Sequence, residues 1–363
     1  MKVSEILNQL ESFAPPVYQE NYDNAQLIVG DKNAECTGVL VSLDCIESVV
    51  QEAIDTGCNL IVSHHPIVFS GLKSLTGKNY VERTIIKAIQ HNICLYAIHT
   101  NLDNIKAGVN AKIAEKLGLV NTQILKPKKG FLYKLTVFGT SDDITKIKEA
   151  VFNVGGGEIG EYSNCSFVSC GMGSFKPSEK SNPTIGEANK LEVLREDRCE
   201  IVIEKAKLSA CLAAAKNASS YEELAYDIVA LENSWQDMGS GMIGELPEEK
   251  DPTDFLKSLK KIFNVPSIKY SGKAESIKRV ALCGGAGFFL LPNAIGAKAD
   301  IFISSDVKYH EFFDAETKII LADIGHYESE QYTIELIAEF LNRKFPTFAV
   351  RLTSINTNPV NYI

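Results

Sequence analysis

The sequence is short of several things, and each shortage removes a class of protein. No stretch of its 363 residues approaches the ~20 uninterrupted apolar residues that a membrane-spanning helix requires, so no such span is expected. Its nine cysteines, an odd number, stand singly and form no Cys-x-x-Cys pair. That spacing disfavours a cysteine-ligated zinc and a disulfide framework, and fits buried thiols in a reducing cytoplasm. Positive charge is in deficit, with a formal net charge of −9. Binding to nucleic-acid backbones is therefore not expected, although a local basic pocket is compatible with that total. Histidine is scarce as well, six in all, yet two of the six are adjacent.

What is present reads as a globular α/β protein long enough for two domains, 45% hydrophobic and 23% charged. At the N-terminus Val3, Ile6, Leu7 and Leu10 share one helical face, which predicts an amphipathic helix and not a signal peptide. Strands are expected over 37–44, 58–63 and 93–100, with helices over 45–56 and 81–92 between them. Near-continuous apolar strands alternating with amphipathic helices predict a mostly parallel sheet covered on both faces.

After Leu119 the texture changes. Residues 125–130 (LKPKKG) read as a basic connection, and the chain then runs strand (133–140), helix capped by Ser141, two strands (161–173 and 199–205), helix (208–218), strand (226–233). This β-α-β-β-α-β order is that of a ferredoxin-like unit. The stretch WQDMGSGMIGELPEEKDP (235–252), rich in glycine and charge, reads as a boundary loop. The expected organisation is a core of residues 1–128 and 238–363 split by an inserted α+β domain, 129–237. The two core parts look like copies. At one constant offset Asn59–Ser63 aligns with Asp300–Ser304, and GVLVSLD with RVALCGG, without a gap. A duplicated βαβ core would point two sets of strand ends at one cleft, the place where open α/β sheets bind ligands.

Chemistry-bearing residues sit at those strand ends. Ile61–Pro66 (IVSHHP) delivers His64 and His65 where Pro66 turns the chain. Each core part adds a His-x-x-x-carboxylate unit after a strand, His99 with Asp103 and His326 with Glu330. A spacing of four puts both groups on one face of a helical first turn. His64, His65, His326, Asp103 and Glu330 are too many for one open zinc and suffice for two bridged divalent ions, with zinc, iron and manganese all tolerated. His99 is expected to orient Asp103 or shuttle a proton. Lys308, Tyr309 and His310 are expected to line the substrate side, with His310 as a second catalytic imidazole. Asp306 ends a strand too, whereas Asp23 reads first as a turn residue and second as a partner that braces a ligand, and His91 as an ordinary hydrogen-bonded histidine. Gly155, Gly157 and Gly160 match G-x-G-x-x-G but follow a helix, the wrong context for a dinucleotide fingerprint. In CGGAGFF (283–289) two readings stay open, amides that hold a phosphate or glycines needed for tight packing.

The ordered motifs HHPIVFSGLKSL, HTNLD, SSDVKYHEFFDA, DIGHYESE and the closing NTNP resemble the GTP cyclohydrolase 1 type 2 family, also called NIF-three-like proteins, over nearly the whole chain. The resemblance implies a dinuclear metal centre with ligands at His64, His65, Asp103, His326 and Glu330. It also implies a ring-shaped homohexamer, and an insert similar to PII and CutA proteins. Two departures, Tyr22–Leu27 and Ser304–Asp306, alter the pocket wall without touching a ligand. The expected function is a metal-dependent hydrolase acting on a nucleotide or related small molecule. The alternative is a metal-sensing, storage, delivery or scaffold protein.

Overall fold

The computed structural model describes all 363 residues, and they divide into two compact units, residues 1–127 with 236–363 and residues 128–235. The larger unit begins with α1 (Val3–Phe13), β1 (Leu27–Val29), β2 (Val39–Ser42), α2 (Glu47–Asp55), β3 (Leu60–Ser63), α3 (Tyr80–Gln90), β4 (Cys94–Ala97), α4 (Thr100–Asn104), α5 (Val109–Leu117) and β5 (Val120–Lys128). The smaller unit holds β6 (Leu132–Gly139), α6 (Ser141–Asn153), β7 (Phe167–Phe175), β8 (Glu192–Glu204), α7 (Leu208–Ala218) and β9 (Tyr226–Leu231). The chain returns with β10 (Trp235–Lys250), α8 (Pro252–Ile262), β11 (Lys269–Ser271), β12 (Ile277–Leu282), α9 (Leu291–Gly296) and β13 (Ile301–Ser304). It closes with β14 (Ile320–Asp323), α10 (His326–Glu330), α11 (Thr333–Lys344) and β15 (Val350–Leu352). No helix is long and apolar enough to cross a membrane.

The larger unit is a mixed α/β structure with two sheets, ordered β1-β4-β3-β2-β15 and β11-β14-β13-β12-β10-β5. Both contain a parallel triplet flanked by a short antiparallel strand, β1 on β4 and β11 on β14. The register repeats too: Val39 faces Leu60 in one sheet, and Val280 faces Ile301 in the other. Alternation of side chains along a strand explains the layering. Val39, Val41, Leu60, Val62, Val280, Leu282, Ile301 and Ile303 point into one shared core, together with the apolar faces of α1, α5, α8 and α11. Leu40, Ile61 and Leu95 point the other way, onto α2 and α3. In the second sheet Ala281, Phe302 and Leu321 point away from the shared core, toward α9. Every residue of β2, β3, β4, β13 and β14 is buried, as strands covered on both faces must be. The predicted face of α1 is buried in full, and an exchange between the Lys2 amide and the Glu5 carboxylate fixes its start.

The smaller unit packs α6 and α7 on one face of an antiparallel sheet ordered β7-β8-β6-β9. Its core includes Leu135, Val137, Ile147, Ile201, Ile203 and Cys211. Thr140, and not Ser141, caps α6, accepting from the Asp143 amide at 3.3 Å.

Several expectations are corrected. Residues 235–250, read as a boundary loop, form the longest strand, with Met242–Glu245 opposite Leu282–Arg279. Gly239 and Gly244 reflect crowding, a Cβ standing 2.3 Å from the Lys126 carbonyl on the first and 2.9 Å from Thr122 on the second, whereas Gly241 also adopts φ +66°. The basic connection at 125–130 likewise begins inside a strand, β5. The helix that starts at His326 stops after Glu330 and restarts at Thr333, and between the two the Gln331 and Tyr332 side chains donate to the Phe263 and Ile262 carbonyls at the end of α8. Asp251 and Pro252, expected as boundary residues, instead cap α8 and occupy its first position.

Phe302 is fully buried at the centre of the second sheet. Phe302→Ala is expected to lower unfolding free energy by about 3–5 kcal/mol, read as a lower urea midpoint at unchanged slope.

Candidate metal centre

The C-terminal ends of the parallel strands in both sheets converge, and the polar residues that follow them meet there. Beyond Ser63 the ladder continues for two residues, His64 N–H donating to the Ser42 carbonyl and His65 N–H to Leu43, which fixes both histidines before Pro66 diverts the chain. On the second sheet Gly325, at φ +91°, turns β14 into α10. Asp306 adopts φ +55°, a left-handed conformation that aspartate tolerates, just past β13.

Four imidazoles are held by one nitrogen and present the other. The Nδ1 atoms of His64, His65, His99 and His326 lie 2.9, 2.8, 2.8 and 2.7 Å from the Ile98 carbonyl, Asp44, Asp23 and Asp306. Since these partners only accept, each Nδ1 donates and each Nε2 is directed inward. Such carboxylate- or carbonyl-anchored imidazoles are the usual support of metal-binding histidines. The Nε2 atoms of His65 and His326 lie 3.0 and 3.2 Å from Glu330 Oε2 and 3.4 Å from each other. His64 Nε2 stands 3.5 Å from Asp103 and 3.9 Å from Glu330 Oε1. It is buried and has no hydrogen-bond partner, an orphaned polar atom whose desolvation a cation would compensate. Ligating atoms fall within 4.8 Å of one another in three groups: His64, His65 and His99; His65, His326 and Glu330; His64, Asp103 and Glu330. All five expected ligands are thus brought together, with His99 beside them. The donor set of imidazoles and carboxylates fits divalent zinc, iron or manganese.

Electrostatics follow from this crowding. Burial opposes charge on His65, but the Asp44 and Glu330 carboxylates outweigh it and raise its pKa to about 10. His326 is raised to about 9, burial again being overcome, here by Glu330 and Asp306. Burial would raise Glu330, yet the surrounding imidazoles hold it well below the usual carboxylate range. Asp103 is raised by loss of water. Asp23, despite burial, is brought down to about 2 by His99 and Thr100.

Several residues play parts that the sequence reading ranked second or did not give them. Asp23 is no turn residue: it anchors His99 and accepts from the Thr100 amide at 3.0 Å. Asp44 was missed, although it ends the first copy's strand in LVSLD, the position a duplicated core marks. Thr357 donates to Asp44 Oδ2 at 2.6 Å, so the closing NTNP segment steadies the carboxylate behind His65. The 283–289 glycines resolve in favour of packing: the amides of Gly284, Gly285 and Gly287 already bond Asn110, Ser329 and Ser304. A Cβ on Gly285 would stand 2.4 Å from Glu330 Oε1. His310 is corrected as well. With Lys308 and Tyr309 it lies exposed, its ring against Tyr309 and Phe313, and none of the three lines the cavity. Its turn, Tyr309–Ala315, runs outward after Asp306 has made its bond to His326. That cavity, 1480 Å³ in volume, opens over the cluster and is bordered by residues of both core parts.

A pair of sheets whose strand ends meet around a histidine–carboxylate cluster defines the class, and the comparisons place the chain within it. Residues 1–359 match the model of the Duf34/NIF3 (NGG1p interacting factor 3) family, and the chain belongs to that family. It is 35% identical over 369 residues, the full length of both chains, to a Staphylococcus aureus (strain MSSA476) protein named GTP cyclohydrolase 1 type 2 homolog. A Staphylococcus epidermidis protein of the same name is 34% identical over 367 residues, again all of both chains. Among solved structures, a Bacillus cereus protein related to NIF3 aligns with TM-score 0.86 and 32% identity over 100% of this chain and 99% of that one. A Staphylococcus aureus protein aligns at 0.79 and 31%, with the same coverage.

Two predictions come from this geometry. In metal-free protein, the elevated pKa values of His65 and His326 lend stability that is complete below about pH 6.5 and lost as pH rises through about 9 and 10. The thermal midpoint of chelator-treated protein is therefore expected to fall over that interval. Cation affinity is expected to rise over it, with protons released on binding, as calorimetry in buffers of different ionisation enthalpy would read. Thr357→Val, which frees Asp44 on one side, is expected to weaken cation affinity about threefold to tenfold and leave the fold intact, as checked by competition with a chromogenic chelator.

Proposed function

We propose that this chain is a dinuclear metal-dependent hydrolase whose substrate is a nucleotide or a related heterocyclic small molecule. The observation that carries the reading is the buried, unpartnered His64 Nε2 facing Asp103 and Glu330 beneath a substrate-sized cavity. On this reading His64, Asp103 and Glu330 would hold one ion, and His65, His326 and Glu330 the other, with zinc or iron favoured and manganese tolerated. His99 forms a further group of ligating atoms with His64 and His65. Two divalent cations supply Lewis acidity and a potent nucleophile from water at neutral pH.

The remaining chemistry belongs to the chain. Glu330 bridges the groups contributed by the two core parts. Asp44 and Asp306 orient His65 and His326, so that both rings would present Nε2 to an ion in one tautomer. Asp23 fixes His99, whose free nitrogen can take up or return a proton at the cavity floor. The large open cavity favours turnover over a non-catalytic metal-sensing or scaffold role, which needs no space above the ligands. We further propose that residues 129–237 are a ferredoxin-like inserted domain and that the full chain assembles as a homohexamer in the cytoplasm.

Elemental analysis of protein reconstituted with zinc, iron or manganese is expected to give two ions per chain, and His64→Ala at least one fewer. Turnover of nucleotides and cyclic amides by metal-loaded protein is expected to fall at least ~100-fold in His64→Ala. Equal residual rates in the two proteins would end the hydrolase reading, and a wild-type content of one ion would end the dinuclear one.

A further inference from the structure

The charge of the cavity wall restricts what can occupy it, an inference that rests on reading the cavity as the substrate site. Eight carboxylates border the cavity against one lysine and no arginine. That lysine, Lys269, is already tied to Asp323 at 2.7 Å. With two divalent cations bound beside Asp103 and Glu330, negative charge on the wall would still exceed positive. A triphosphate needs the reverse, arginine forks and lysines spread along its length. The α2 N-terminus at the wall adds about half a positive charge, beside Glu47 of its first turn, which Arg83 pairs at 2.9 Å.

The same wall is unusually aromatic. Tyr22, Phe69, Tyr80 and Phe289 are each more than half exposed, at 72%, 57%, 56% and 56%, and all border the cavity. Rings left in water gain by stacking on a flat partner, and above a negative wall they also favour a cationic one. The Phe69 ring meets the His99 ring edge-on at 5.8 Å, which places this one of the four rings next to the cluster.

We propose that the occupant is a flat, uncharged or cationic heterocycle without a polyphosphate tail, stacked on these rings with a polar ring atom toward the cluster. The relatives' name speaks of GTP, and on this wall the triphosphate is a burden while the base is what fits.

The test uses full-length, zinc-loaded protein and calorimetric titration with guanosine, adenosine and a neutral pterin, set against GTP and ATP, at about 20 mM and 300 mM salt. Metal content is measured after each titration, so that zinc removal by a triphosphate is not read as binding. Each nucleoside is expected to bind at least ~10-fold more tightly than its own triphosphate at low salt, and the gap to shrink severalfold at high salt. Glu47→Gln, at the rim and away from the cluster, is expected to narrow the low-salt gap about twofold to threefold. A triphosphate that binds as tightly as its nucleoside, or a panel in which no heterocycle binds, overturns the proposal. Both readouts are of binding alone, so they stand apart from the loss of turnover or of metal that would end the hydrolase reading.

Discussion

A carboxylate withdrawn from water must find donors or positive charge, and Glu330, 4% exposed, finds both in imidazoles, two of them from a distant part of the chain. His65 reaches it from the first sheet, His326 from its own helical turn, and His64 completes the ring. Much around Glu330 can be understood as support for this contact. Gly285 is bare because a side chain there would strike the carboxylate, and Asp44 and Asp306 stand behind the two nearest histidines. The site thus joins the two parts of the core, as their apolar faces also do.

The repeated architecture of the two sheets explains why such a meeting is possible. Two parallel triplets in matching register, each followed by polar residues at its C-terminal end, offer equivalent corners that face each other across the shared helical layer. The two corners differ in role. His65 aligns with Asp306, so one copy supplies an imidazole braced by a carboxylate, and the other supplies the brace for His326. Symmetry of backbone with asymmetry of side chains yields a cluster whose three groups of ligating atoms are inequivalent.

Above the cluster the wall is acidic and aromatic, and this pairing has a physical cost as well as a use. Carboxylates facing one cavity repel each other and raise one another's affinity for cations, which favours metal capture. Exposed rings forgo the gain of burial until something flat covers them. The segment ending in Asn356, Thr357 and Asn358 closes one side, joining the far end of the chain to Asp44 and Glu328. Residues more than three hundred positions apart therefore border one space.

The sequence by itself determined the elements with strong periodicity and the residues whose chemistry is rare. Buried strands such as LIVS and IFIS, the face of α1 and the His-x-x-x-carboxylate spacings are local patterns, and local patterns survive in one dimension. Strand β10 was illegible because glycine signals a turn in isolation, whereas here it marks where another strand passes too closely for a Cβ. Asp44 and Thr357 were illegible as supports, and Asp23 read so only second, because an aspartate or threonine carries no mark of its partner, and each partner lies far away in sequence. His310 misled for the converse reason: one step of backbone direction after Asp306 turned it to solvent, and direction is set by packing. Residue type fixed which groups were able to bind a cation; only the tertiary structure decided which of them meet, because convergence depends on how two sheets pack and not on spacing along the chain.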